Sequence, residues 1–427
     1  MHDLIQPIGG LMTRGILFRA EGDEPKVLVQ TIQFGDLGGI WPNLRGDLQA
    51  GVAGAGTGLN DEQALVPAIG EAIERYCSSV YNKEQFITAT AGELGQRALD
   101  LDTIPRCSST ELAHPKCRLV TPDKDAPIRW IEGISLFDGR PVFLPVVMVY
   151  LFSGYTSQAE RIYYPISTGC AAHVSFERAL LNAILEVIER DAISVIWLQK
   201  MTLPRLEIDR LPMPLATYWE LYQRGSRELE YIFFDATTDI GVPTVYGLEV
   251  SHTNPTFTTL VHCSTALDPA DAVVKVMRDM GSGRVPYRHP RSIPESWDDF
   301  IDVSHGAAYM ARPEQAHAFE FLRGSGNRRA LSHLPNVSSE DDNQNLQTVL
   351  ELLRRKGMEV FAVDLSTDEA LRSGLRVVRV LIPGLQPIGF NYRARYLGHQ
   401  RLYDAPKNMG YPVHAEKDLN SWPQPFA

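Results

Sequence analysis

Gly70-Glu71-Ala72-Ile73-Glu74-Arg75-Tyr76 and Leu185-Glu186-Val187-Ile188-Glu189-Arg190-Asp191 are two versions of one phrase, Glu-x-x-Glu-Arg. Both glutamates of the first recur 115 residues later in the second. Carboxylates three residues apart on a helix lie on adjacent turns and can converge on one target. Upstream of the first copy, Ala64, Leu65, Ala68, Ile69, Ala72, Ile73 and Tyr76 keep helical spacing, with Asn60 or Asp61 as N-cap. The second copy lies in a helix spanning about Ser175 to Lys200, whose only charged residues between Ala179 and Arg190 are Glu186, Glu189 and Arg190. Such a helix is buried most of the way round. Buried carboxylates cost several kcal/mol each unless paired or bound to a cation. One copy alone reads as a solvated face with local salt bridges. Two copies, one inside an apolar helix, read as four ligands for hard divalent cations.

Outward from this repeat the chain is α/β. Lys26 to Ile32, Ile128 to Ile134, Val142 to Tyr150, Thr244 to Glu249, Thr258 to Cys263, Glu359 to Asp364 and Arg376 to Ile382 read as strands. Ala270 to Met280 and Asn343 to Lys356 read as further helices, and the polar stretch from Arg323 to Asn345 as a long loop. Residues 1–50 form an N-terminal strand and turn segment, and residues 51–427 one domain ending in a proline-rich tail at 420–427. Gly51 to Gly58 lacks the Lys-Ser/Thr of a P-loop, leaving either a plain turn or a backbone approach to phosphate.

The 427 residues, 44% hydrophobic and 22% charged, supply an ordinary globular core. A formal charge of −11 argues against nonspecific nucleic-acid binding, which needs a basic footprint. No run of about 18 apolar residues predicts a membrane span, and no basic region with an apolar core predicts secretion, so the cytoplasm is the expected address. Five scattered cysteines without a CxxC pair fit neither a disulfide framework nor structural zinc. Cys170 and His173 read as packing residues at a helix start rather than as nucleophile and base, and His399 and His414 as surface histidines.

The paired Glu-x-x-Glu-Arg, the Ser167-Thr168-Gly169 before the second copy, the segment Val377-Val378-Arg379-Val380-Leu381-Ile382-Pro383-Gly384-Leu385-Gln386-Pro387, and the ending Asn420-Ser421-Trp422-Pro423-Gln424-Pro425-Phe426-Ala427 together resemble the YcaO family, in its azoline-forming cyclodehydratase branch. The resemblance runs from about residue 50 to the end. It implies the YcaO fold, mixed sheets packed by helices, with an ATP cleft between the two related helices. It implies ATP and magnesium as cofactors, Glu71, Glu74, Glu186 and Glu189 as metal ligands, and Arg75, Arg190, Lys275 and Asp279 as ATP-binding residues. It also implies that the tail enters the active site, with Pro425 and Ala427 assisting proton transfer.

The reaction so implied is phosphorylation of a backbone amide oxygen in a ribosomal precursor peptide. A Cys, Ser or Thr side chain attacks the preceding carbonyl; the resulting hemiorthoamide oxygen leaves as phosphate, and a thiazoline or oxazoline forms. Such heterocyclases belong to thiazole/oxazole-modified peptide and bacteriocin biosynthesis. The implied partners are a leader-binding protein resembling ubiquitin-activating enzymes, a flavin dehydrogenase, and a second copy of the chain within a larger complex. Departures from the family pattern are Pro67 in place of serine, Ala55 of lysine, Arg178 of glutamate, Lys275, Asp279 and Ser282 of Arg, Glu and Gln, and Ala427 of a final proline. They keep a second reading open, a non-catalytic scaffold subunit. Amidine or thioamide formation by the same amide activation is a third.

Overall fold

The computed structural model describes residues 4–6, 10–22, 24–225, 228–288 and 292–426. Three sheets organise them. The first, in the order β1-β2-β3, pairs Met12–Arg19, Leu28–Phe34 and Gly54–Gly58 antiparallel, so residues on both sides of position 50 share one sheet. The second runs β4-β5-β13-β14-β7 (Ile87–Ala89, Ile128–Ser135, Phe361–Asp364, Arg376–Leu381, Cys170–His173), with β6 (Pro141–Pro145) paired to β5. The third runs β11-β10-β9-β8-β12 (Thr259–Thr265, Thr244–Ser251, Leu229–Asp235, Arg205–Glu207, Arg328–Ala330).

Helix α1 (Asp61–Cys77) starts at Asn60, whose side chain accepts from the Gln63 amide at 3.0 Å. Its apolar stripe is fully buried, and it lies directly on β3. The glycine run is therefore neither a plain turn nor a loop. Alternate residues of a strand face the same way, so Gly54, Gly56 and Gly58 all meet the helix. A Cβ on Gly56 would stand 2.2 Å from the Ala64 carbonyl oxygen, and one on Gly54 2.2 Å from that of Ala68.

Helix α2 (Phe176–Leu198) begins at Ser175, whose hydroxyl accepts from the Arg178 amide. Its first half packs into one apolar cluster with β14, and its second half, Ala192 to Trp197, into another with β10. Helix α3 (Pro269–Gly283) covers the third sheet, and α4 (Asp342–Arg355) packs on α2.

Two expectations change. The run Val142 to Tyr150 is strand only to Pro145 and then a helical turn, Val146–Val149, entirely buried. An unbroken apolar run fits a buried strand and a buried helix equally. Within Arg323 to Asn345, Arg328–Ala330 forms β12, paired parallel to β8. Close backbone packing sets the first prediction. Gly56→Val lowers the thermal midpoint, by overpacking worth about 1–3 kcal/mol or more. Gly70→Ala, where a Cβ would meet nothing within 4 Å, holds or raises it by up to about 1 kcal/mol.

Candidate active site

The two helices present their acidic pairs in matching ways. On α1, Arg75 pairs with Glu71 at 3.1 Å and with Glu74. On α2, Arg190 pairs with Glu186 at 3.5 Å and with Glu189 at 3.3 Å. The opposite oxygens are held by backbone N–H groups from neighbouring strands and turns. Ala55 of β3 donates to Glu71 at 2.7 Å, Gly169 to Glu186 at 3.0 Å and Thr265 of β11 to Glu189 at 3.0 Å. Gly169 sits at φ +86°, where a Cβ would stand 2.3 Å from the Val380 carbonyl oxygen. Only glycine fits that turn and aims its amide at the glutamate.

These carboxylates and Asp279 of α3 form a ring of electrostatic neighbours. Glu74 is influenced by both Glu186 and Glu71, Glu189 by Glu186 and Asp279, and Asp279 by Glu71. Burial, which disfavours the charged form, dominates the ionisation of Glu74, Glu189 and Asp279. It pushes the Glu74 carboxyl well above the ordinary carboxylate range despite Arg75, and that of Glu189 to about 7 despite Arg190. Side-chain exposure is 15% for Glu74 and 13% for Glu189, so solvent screens them little.

Asp279 and Lys275 project from α3 on the far side of the ring. Solvent reaches both, yet the enclosing protein shifts each toward its neutral form. Beside them Arg278 donates to the Thr57 carbonyl of β3 at 3.3 Å, tying α3 to the strand that carries Ala55. Ser282 uses its hydroxyl on the Asp279 carbonyl. Arg178 is drawn away to Asp342 at the start of α4, at 2.9 Å, which compensates its charge.

The ring is open. Among the described residues no three His, Cys, Asp or Glu side chains form a ready-made metal cage. Magnesium takes one or two protein carboxylates and completes its shell with phosphate oxygens and water, so pairs of these carboxylates fit it as a phosphate-bound ion. On one side of the ring a cavity of about 440 Å³ is lined by Arg75, Glu186, Arg190, Ser167 and Thr168, and opposite them by Phe152, Tyr164, Ile166 and Phe390.

The tail runs back along α2. Asn420 donates to the Leu198 carbonyl, Trp197 donates to that of Trp422, and Phe426 packs edge-on against Tyr246 at 5.2 Å. Pro425 is buried with it. Tyr246 stands opposite Cys263 in the sheet, and Cys263 neighbours Glu189 and Arg190. Ala427 lies outside the described residues.

Cys170 is buried and His173 accepts from the Ser175 amide, as packing residues do. His399, expected at the surface, is instead 7% exposed, and burial lowers its pKa to about 4. The Thr265 amide and Arg278 have no signal in the sequence, whereas Gly169 and Arg379 lie in the segments that carry the resemblance and Ala55 among its departures, without these roles.

Residues 55–386 match the family model described as YcaO cyclodehydratase, ATP- and Mg2+-binding. A protein of Methanothermobacter thermautotrophicus is 26% identical over 336 residues, covering 78% of this chain and 81% of its own length. Among solved structures, a heterocyclase in complex with substrate and cofactor superposes with a TM-score of 0.80 at 22% identity, covering 99% of this chain. This chain spans 56% of that heterocyclase's length. A chain of the Escherichia coli microcin synthetase McbBCD complex with pro-MccB17 bound aligns over 99% of this chain and 98% of its own, with a TM-score of 0.63 and 13% identity. No described helix is long and apolar enough to cross a membrane. With its family model matched across both acidic helices and the turn between them, the chain belongs to the YcaO family.

Proposed function

We propose that the chain is an ATP-dependent cyclodehydratase that phosphorylates backbone amide oxygens of a ribosomal precursor peptide and closes thiazoline or oxazoline rings from Cys, Ser or Thr. The observation that carries this reading is the ring of partly buried carboxylates beside a cavity that Glu186 lines. Glu71, Glu74, Glu186 and Glu189 hold magnesium, while Arg75, Arg190, Lys275 and Asp279 contact the nucleotide. When bound, ATP supplies the phosphoryl group and magnesium neutralises its charge. Arg75 and Arg190 orient the carboxylates, and the cavity walls exclude water from the peptide carbonyl. Pro425 and Ala427 of the tail assist proton transfer as the ring closes.

The likeness to a chain of a multi-protein synthetase supports working with partners: a leader-binding protein resembling ubiquitin-activating enzymes, a flavin dehydrogenase and a second copy of this chain. Pro67 keeps the scaffold reading in play. It stands one turn before Glu71 on the same face of α1, so no hydroxyl is offered there.

Calorimetry with Mg2+ and the ATP analogue AMP-PCP separates the two readings. Binding that Glu189→Gln weakens at least about tenfold, or about 1.4 kcal/mol, is the expected result; no binding at all would leave a scaffold. With the precursor peptide and partner added, phosphate release should match the loss of one water per ring by mass spectrometry. Sulfur replacing oxygen would instead identify thioamide formation, and tandem fragmentation separates azoline from amidine.

The raised carboxyl groups also set a pH dependence. In the folded protein Glu189 binds its proton more tightly than in the unfolded chain, with a pKa of about 7 against 4.5. Its contribution to metal-free stability is full below the unfolded value and lost as pH rises through the folded one. Glu74 acts in the same direction. The metal-free thermal midpoint should therefore fall between about pH 5.5 and about pH 8. Mg2+ with AMP-PCP should raise it more at the upper end, and Glu189→Gln should flatten the slope.

A further inference from the structure

Arg379, in the middle of β14, is 1% exposed and among the largest fully buried side chains. A buried guanidinium is an expensive way to fill space, since an aliphatic side chain would pack there without the desolvation cost. Its Nη1 donates to the Ile166 carbonyl at 2.7 Å and lies 3.3 Å from the Cys170 sulfur. Those two residues are the ends of the Ser167-Thr168-Gly169 turn. The backbone beside Arg379 holds the same turn, with the Val380 amide donating to the Gly169 carbonyl at 2.7 Å and β14 pairing with β7 from Cys170 onward. Gly169 in turn holds Glu186, and Ser167 and Thr168 line the cavity.

We propose that Arg379 is a positioning residue that clamps both ends of the 166–170 turn, so that the Gly169 amide holds Glu186 in register at the cavity. Both contacts are made by the one Nη1, which the rigid guanidinium plane holds in place, whereas a lysine ammonium rides on a flexible stem. The turn needs such a clamp because its geometry hangs on one positive-φ residue.

The inference rests on the proposed function for what the register is used for, and the test separates the two. Hydrogen exchange is followed at the amides of Ala55, Gly169 and Thr265 in the full chain, free and with Mg2+ and AMP-PCP. In Arg379→Lys, Gly169 exchange should accelerate at least about tenfold, while Ala55 and Thr265, which hold Glu71 and Glu189, stay within about twofold; a free-energy loss of about 1.4 kcal/mol corresponds to that tenfold. Arg379→Met should show a larger effect at Gly169 alone, and kcat should fall in both variants with the KM for ATP little changed. Unchanged Gly169 exchange overturns the clamp, as does a parallel rise at all three amides, which marks general destabilisation. If Arg379→Met does not fold, Arg379→Lys decides alone. Should the wild-type amides gain no protection from Mg2+ and AMP-PCP, the proposed function fails while the exchange contrast still judges the clamp.

Discussion

Carboxylates repel one another, and this fold brings five of them into one partly buried ring. Arg75 and Arg190 each span their own glutamate pair, and three backbone amides take the outer oxygens of Glu71, Glu186 and Glu189. Those contacts fix where the oxygens point without neutralising them, and burial still drives Glu74 and Glu189 toward the protonated form. A site in that condition has affinity in reserve for a cation, because each oxygen is already oriented and already short of charge compensation. Much else in the structure follows from holding that arrangement: β3 against α1, the turn before β7, and β14 behind both helices.

The departures from the family pattern are spread over several elements. Lys275, Asp279 and Ser282 share a face of α3, Pro67 lies on α1 one turn before Glu71, Ala55 donates its amide to Glu71 from β3, and Arg178 is committed to Asp342. The acidic pairs and their arginines are intact. Asp279 keeps an acid in the ring with one methylene less reach. Lys275 keeps a cation without a planar fork.

The repeat was legible because its two elements are local: helical spacing and a pair of acids in an apolar context can be read along a line of residues. The caps at Asn60 and Ser175 follow the same logic. What joins the halves was not legible. The Thr265 amide reaches Glu189 across 76 residues, and Arg379 reaches Ile166 across 213. No short-range pattern marks a backbone N–H as a partner. The reading also named no element between 200 and 244, where β9 supplies a central strand of the third sheet. The glycine run misled because glycine usually signals a turn, whereas here its missing side chains admit a helix. His399 is buried by segments far off in sequence, Arg106 and Asp191 among them, which its own polarity does not announce.

The glycine seam between β3 and α1 has a mechanical consequence. Where main chain rests on main chain, no side-chain rotamer can yield, so Glu71 and Glu74 travel with the first sheet as a stiff block. The second pair is seated in the same manner, because a Cβ on Gly169 would stand 2.3 Å from the Val380 carbonyl oxygen, so the turn that aims Glu186 also rests on main chain. Neither pair can then be re-aimed by a rotamer change at these seams, and any change in the spacing of the two pairs requires whole elements to shift.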